Sequence, residues 1–347
     1  MRYMVTGTAI ISPIGTALHD VWRMAERKLS GIGELARFKS RRSILCGEVK
    51  NFDLEDYISD RRFRRSDLIS QYALAAIAGA LDGTPNVSGE KIGLVMGITH
   101  GALCYTQSFH RDLIEGGPES ASPLLFSDSV LNAPAGNASI CFGIKGPVHT
   151  VIGGTEVSIK AIMSACRMLA DNGIMKVVVA AAEEINELSL EVYERIGISP
   201  LAEGAGALVL ELETDGKRQN CYCTIAGMAS RCDPGDPEEA LLNVFDMCLQ
   251  EAGLSIAEID LVMTSDDILL PKTFKTIPVA NLTGLTGQAF AASTIWNVAF
   301  CAMALRNGKF PGTILEGVAE PSGNINKILI CTADSIGNAA ALILSRI

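Results

Sequence analysis

Residues 150–162, TVIGGTEVSIKAI, join an apolar β-branched run to a helical pattern across two glycines. Val151 and Ile152 read as the end of a buried strand, and Gly153 and Gly154 allow a tight turn. Ile159, Ile162, Ala165, Met168 and Leu169 then recur at helical spacing. The residue displayed at the turn is Thr155. A group in that place sits at a helix N-terminus, where free N–H groups and the macrodipole favour an anion. A cysteine there would become largely thiolate. A threonine alkoxide is too basic for a helix end alone, so a catalytic Thr155 needs a neighbouring base. The alternative is that Thr155 only caps the helix.

Bases are few. The chain holds four histidines: His19, His100, His110 and His149. His149 lies six residues before Thr155 on the same strand, where a core or interface role is expected, whereas His100 or His110 could fold over the turn. Ten cysteines are scattered through mostly apolar runs and read as reduced core residues. Cys221 and Cys223 form a lone C-x-C without a second pair or histidine at ligand spacing, so neither a zinc site nor any other cofactor is expected.

A net charge of −10 excludes a general nucleic-acid surface. Basic charge concentrates in KSRR (39–42) and RRFRR (61–65), each either a solvated face or a landing patch for an acidic partner. No run of about 18 apolar residues occurs, so a cytoplasmic protein without a membrane span is expected.

The elements that must position these residues suggest a duplicated α/β unit. In the first half the Gly-Gly-Thr turn opens a helix stopped at Asn172-Gly173, followed by strands KVVVAAAEE (176–184) and EGAGALVLELE (203–213). In the second half LTGQ (285–288) opens a helix stopped at Asn307-Gly308. Strands KILICTAD (327–334) and AAALILSRI follow. Apolar residues make up 48% of the chain and aromatics 5%, which suits close-packed α/β layers. Two mixed sheets with buried helices between them, in halves 1–215 and 216–347 fused into one body, are expected.

The opening VTGTAIISPIGTALHDVWRMAERKLSGI resembles the N-terminal strand, turn and first helix of the β-ketoacyl-acyl carrier protein synthases, which have the thiolase fold. FDLEDYISDRRFRRSDLISQYALAAIAGAL (52–81), SPLLFSDSVLNAPAGNASICFGIKGPVHT (122–150) and EGAGALVLE (203–211) are similar to that family's landmark segments, in order. The resemblance implies a Cys nucleophile at the Gly-rich turn, two His and a Lys. Here the Cys position falls on Thr155, the first His position near Ser265, the second on Gln288 and the Lys position on Thr283.

Loss of the whole set implies, within the family, a chain-length-factor-type subunit: inactive by itself, paired with an active ketosynthase in a heterodimer, and shaping the acyl tunnel in a type II polyketide, aryl polyene or fatty-acid-like pathway. The same resemblance places Tyr105, Phe109 and Leu113, spaced i, i+4, i+8, at the tunnel floor or in plain interface core. It makes Arg61, Arg62, Arg64 and Arg65 docking candidates for the acidic acyl carrier protein, which the partner would mostly bind. Two other classes stay open. One is an acyltransferase or condensing enzyme with a rebuilt site using Thr155, Cys104 or Cys141, and the other is a homodimeric protein that binds acyl chains or the carrier.

Overall fold

Small and β-branched residues that alternate between two apolar faces build the central layers. In the computed structural model, which describes residues 1–38, 43–171, 173–213, 221–265, 277–311, 315–316 and 324–347, the first half contains β1 (Tyr3–Ile11), α1 (Leu18–Glu26), β2 (Gly33–Glu34), β3 (Leu45–Gly47), α2 (Leu68–Leu81), β4 (Ile92–Ile98), α3 (Leu103–Gly116), α4 (Pro123–Ser129), α5 (Ala133–Phe142), β5 (Val148–Ile152), α6 (Val157–Ala170), β6 (Lys176–Glu183), α7 (Glu187–Arg195), β7 (Leu201–Ala202) and β8 (Gly204–Leu212). The second half contains β9 (Cys223–Cys232), α8 (Pro237–Ala252), β10 (Leu261–Thr264), β11 (Val279–Asn281), α9 (Thr283–Thr286), α10 (Ala291–Asn307), β12 (Leu315–Glu316), β13 (Lys327–Ala333) and β14 (Asn338–Ser345).

The halves repeat one plan. The first sheet runs β1-β8-β6-β4-β5 and the second β9-β14-β13-β10-β11, with β12 added at the end. Pairing matches strand for strand: antiparallel, antiparallel, parallel, parallel. The two mixed sheets expected from the sequence are joined into one eleven-stranded sheet by a short antiparallel ladder of Tyr3, Met4 and Val5 with Ile225, Thr224 and Cys223.

Layering follows from the strand periodicity. On β6, Val177, Val179 and Ala181 belong to the core shared by both halves, while Val178, Ala180 and Ala182 belong to the outer core under α2. On β14, Ala340, Leu342 and Leu344 face the shared core and Ala339, Ala341 and Ile343 face α8. Strands buried on both faces read as unbroken apolar runs. The shared core encloses α6 and α10. Helix α10 is apolar nearly all round, so it has no face to give to water; Trp22 stacks on its Phe300 with ring centroids 5.1 Å apart. It stops at Gly308 in the left-handed region, φ 69°. The duplicated, layered α/β architecture expected from the sequence is the architecture observed.

A small sheet, β2-β3-β7, covers one end of this core. Its loop is pinned by Arg37, which forms a two-point ion pair with fully buried Glu203, and by Tyr72, whose hydroxyl donates to Glu203 Oε1 at 2.9 Å. The pin sets Leu201 and Ala202 beside Gln288: Gln288 N–H donates to Pro200 O and Ala202 N–H to Gln288 O, each at 2.8 Å.

Candidate functional site

Thr155 is buried between β5 and α6 and does not cap the helix. The N-cap position is Glu156, and no side chain caps it. The Thr155 hydroxyl accepts from Thr332 Oγ1 at 2.5 Å, and its carbonyl accepts from Thr294 Oγ1 at 2.7 Å. Among the described residues no imidazole, ammonium or carboxylate hydrogen-bonds the Thr155 hydroxyl. The helix start that would favour an anion carries one of its own, buried Glu156, paired to Lys160 at 3.0 Å.

The other three positions meet at the same place. Ser265, fully buried just past β10, lies 2.8 Å from Thr294 Oγ1 and accepts from Asn297 Nδ2 at 3.1 Å. Its carbonyl accepts from Thr283 Oγ1 at 2.9 Å and from Gln288 Nε2 at 3.1 Å. Thr155, Ser265, Thr283 and Gln288 therefore form one hydrogen-bonded network of neutral groups, bridged by Thr294. Gln288 is not inside a helix, as the 285–288 reading expected. Gly287 turns the chain in the left-handed region (φ 86°), and Gln288 Oε1 accepts the Phe290 N–H at 2.8 Å, so α10 starts only at Ala291.

Of the four histidines, His100 borders this network. Its ring meets Phe290 edge-on with centroids 4.8 Å apart, and it is hydrogen-bonded to Glu183 and Tyr193. His149 is exposed on β5, His110 is exposed on α3, and exposed His19 lies 3.4 Å from Asp20. Thr294, Thr332, Asn297, Glu183 and Tyr193 were not singled out from the sequence, because nothing in their local pattern marks contacts made across the two halves. Neither alternative thiol is activated: burial pushes the Cys104 thiol up to about 12 and the Cys141 thiol up to about 11.

On α3, Tyr105 donates its hydroxyl to Arg65 O at 2.6 Å, Phe109 packs on Phe126 of α4 with centroids 5.5 Å apart, and Leu113 is half-buried. A groove of about 450 Å³ lies along Leu103, Gln107, His110 and Ile114 of α3 and reaches Leu188 of α7. Arg61, Arg62, Arg64 and Arg65 are all exposed in a short 3₁₀ turn. Arg62 pairs with Asp60 and Arg64 with Glu55. The KSRR run at 39–42 lies outside the described residues.

The family model described as "Beta-ketoacyl synthase, N-terminal domain" matches residues 2–215. A 3-oxoacyl-(acyl-carrier-protein) synthase 2 of Vibrio cholerae is 33% identical over 189 residues, 53% of this chain and 46% of that protein, so this match spans under half of its length. The protein of the same name from Staphylococcus aureus is 26% identical over 400 residues, 98% of this chain and 92% of the relative. A solved chain described as "The ishigamide ketosynthase/chain length factor" superposes with a TM-score of 0.85 at 18% identity, covering 100% of this chain and 99% of that one. These relatives correct one expectation. The expectation that the chain is no enzyme on its own does not stand: the relatives it matches are named synthases, and four substituted side chains do not establish inactivity.

Proposed function

We propose, on the premise that this chain belongs to the β-ketoacyl synthase family, that it serves as one subunit of a ketosynthase pair. It joins an active β-ketoacyl synthase and helps shape the tunnel that takes the growing acyl chain during acyl-carrier-protein-dependent elongation. The observation that carries this reading is the open edge of β5. Among the described residues β5 pairs on one side only, with β4. Ile152 on this strand is 58% exposed, and Ile140 on α5 and Phe126 on α4 are 59% and 56% exposed. An unpaired strand edge flanked by exposed large apolar side chains is a surface that a partner strand covers, or else a site of aggregation.

The names of the relatives support a carrier-linked acyl substrate, and the fold shared with a ketosynthase/chain length factor is compatible with a heterodimer. Tyr105, Phe109 and Leu113 would stand at the tunnel end of α3 near that edge. Arg62 and Arg64 already have acidic neighbours, which leaves Arg61 and Arg65 as the arginines of this turn best placed for an acidic carrier in the cytoplasm. The test is co-expression with a ketosynthase encoded beside this chain. A one-to-one complex by light scattering is expected, and Ile152→Lys should dissolve it without lowering the melting temperature of the isolated chain. A homodimer that ignores the synthase, or a complex indifferent to Ile152→Lys, would overturn the reading.

A further inference from the structure

A carboxylate, an imidazole and a phenol lie in line beside the hydroxyl and amide network. Glu183 ends β6, is 1% exposed, and accepts the backbone N–H of Thr99 at 2.6 Å and of His100 at 3.3 Å. Its Oε2 also stands 3.0 Å from His100 Nδ1. A carboxylate accepts at such a contact, so the imidazole proton belongs on Nδ1 and Nε2 is left as the acceptor. Tyr193 of α7 occupies that acceptor: its hydroxyl is 2.6 Å from Nε2. Phe290 braces the pair, with its ring centroid 4.8 Å from each of the other two rings. Orienting carboxylate, base and hydroxyl stand in the order of a hydroxyl nucleophile with its base, and because burial and the Glu183 charge raise the Tyr193 phenol, it can attack only as its proton passes to His100.

A further group points to a ligand. Glu184 lines the same cavity as Glu183, His100 and Tyr193, and is 2% exposed. Its Oε1 accepts the Cys104 N–H at 2.7 Å, while its Oε2 has no hydrogen-bond partner among the described residues. Burial raises its carboxyl to about 8, so it keeps a proton near neutral pH and has an O–H to give to a carbonyl oxygen.

We propose that Tyr193 is an acyl-accepting nucleophile for acyl thioesters, with His100 as its base, Glu183 as the positioning residue and Glu184 as the donor to the carbonyl oxygen. Tyr193 Oη adds to the thioester carbonyl carbon as its proton passes to His100 Nε2, and the Glu184 O–H donates to the oxyanion that forms. The C–S bond then breaks and His100 returns the proton to the thiolate sulfur. The products are an acyl ester of Tyr193 and a free thiol, with no change of oxidation state. A thioester fits because its sulfur is a good leaving group, and because an aryl ester keeps the acyl group ready for transfer to another acceptor. The cavity holds only about 10 Å³, about one water. Such a space admits the carbonyl oxygen in place of that water, while the acyl chain and the thiol group stay outside it; Tyr193 itself is half-buried.

Nothing in this step depends on the pairing through β5. The test uses the full chain alone, so its failure leaves that reading standing. The chain is incubated with acetyl- and octanoyl-N-acetylcysteamine thioesters and followed by intact mass and peptide mapping. One hydroxylamine-sensitive acyl group on Tyr193 is expected. Tyr193→Phe should abolish it, and His100→Gln should slow its formation about 100-fold. Glu183→Gln leaves buried donors unpaired and should lower the melting temperature, and it should also change the pH profile of acylation in the protein that stays folded. An adduct on Thr155 or a cysteine, no adduct at all, or a rate indifferent to His100→Gln in a folded variant would overturn the proposal.

Discussion

At the scale of single residues, the environment of Glu184 makes a pH prediction with a definite sign. Burial is the main cause of its shift from 4.5 to about 8, and nearby Asp67, itself raised to about 6 by burial, adds to it. Between about 4.5 and about 8 the unfolded chain has lost this proton and the folded chain has kept it. The unfolded state then binds fewer protons, so stability falls as pH rises through that window and levels off above it. The slope from Glu184 is at most about 1.4 kcal/mol per pH unit. Asp67 acts in the same direction between 3.8 and about 6. Glu184→Gln should therefore flatten the loss of stability between pH 6 and 8 and reduce it between about pH 4.5 and 6, where the Asp67 share remains, as read from urea midpoints at stepped pH. An unchanged slope above pH 6 would mean that the carboxyl is already ionised in the fold.

At the scale of elements, the duplication reaches details that the sequence did not disclose. Strands β1 and β9 each slip register by one residue, at Thr6 and at Ala226, immediately before a glycine. A Cβ on Gly7 would lie 2.0 Å from Ala80 O of α2, and one on Gly227 would lie 2.5 Å from Cys248 O of α8. Each half thus seats its outer helix on a glycine of its first strand, where backbone meets backbone. Gly7→Ala and Gly227→Ala should each cost about 1–3 kcal/mol in chemical denaturation, because a carbonyl cannot swing aside as a side chain can. Losses near zero would mean that the outer helices can ride out on their sheets. Strands β6, β8, β13 and β14 and helix α6 were legible because their apolar runs are local signals, whereas β5, expected to be buried, is a sheet edge with Ile152 exposed. The turn at Thr155 was legible for the same reason. The start of α10 was not, since it depends on Gln288 folding back onto Phe290. Nor was the Glu183–His100–Tyr193 line, whose members come from a strand end, a loop and a helix that only the tertiary fold brings together.

At the scale of the whole molecule, the shared core decides how the two halves unfold. Helices α6 and α10 are buried together between the sheets, and each contributes to a core drawn from both halves. Ser158 of α6 donates to Ala291 O of α10 at 2.6 Å, and the Thr155–Thr294–Ser265 bridge crosses the same boundary. Residues 1–215 alone would expose the inner face of β6 and β8 and one side of α6, an apolar area far too large for a stable free surface. We therefore propose that the division near 215/216, which falls in a segment outside the described residues, marks a repeat and not a separable folding unit. Far-ultraviolet circular dichroism and tryptophan fluorescence should report one coincident urea transition, since Trp22 and Trp296 both sit in the shared core. A fragment of residues 1–215 should fail to give a cooperative transition. Two separated transitions, or a fragment that unfolds cooperatively, would show that each half carries a sufficient core of its own.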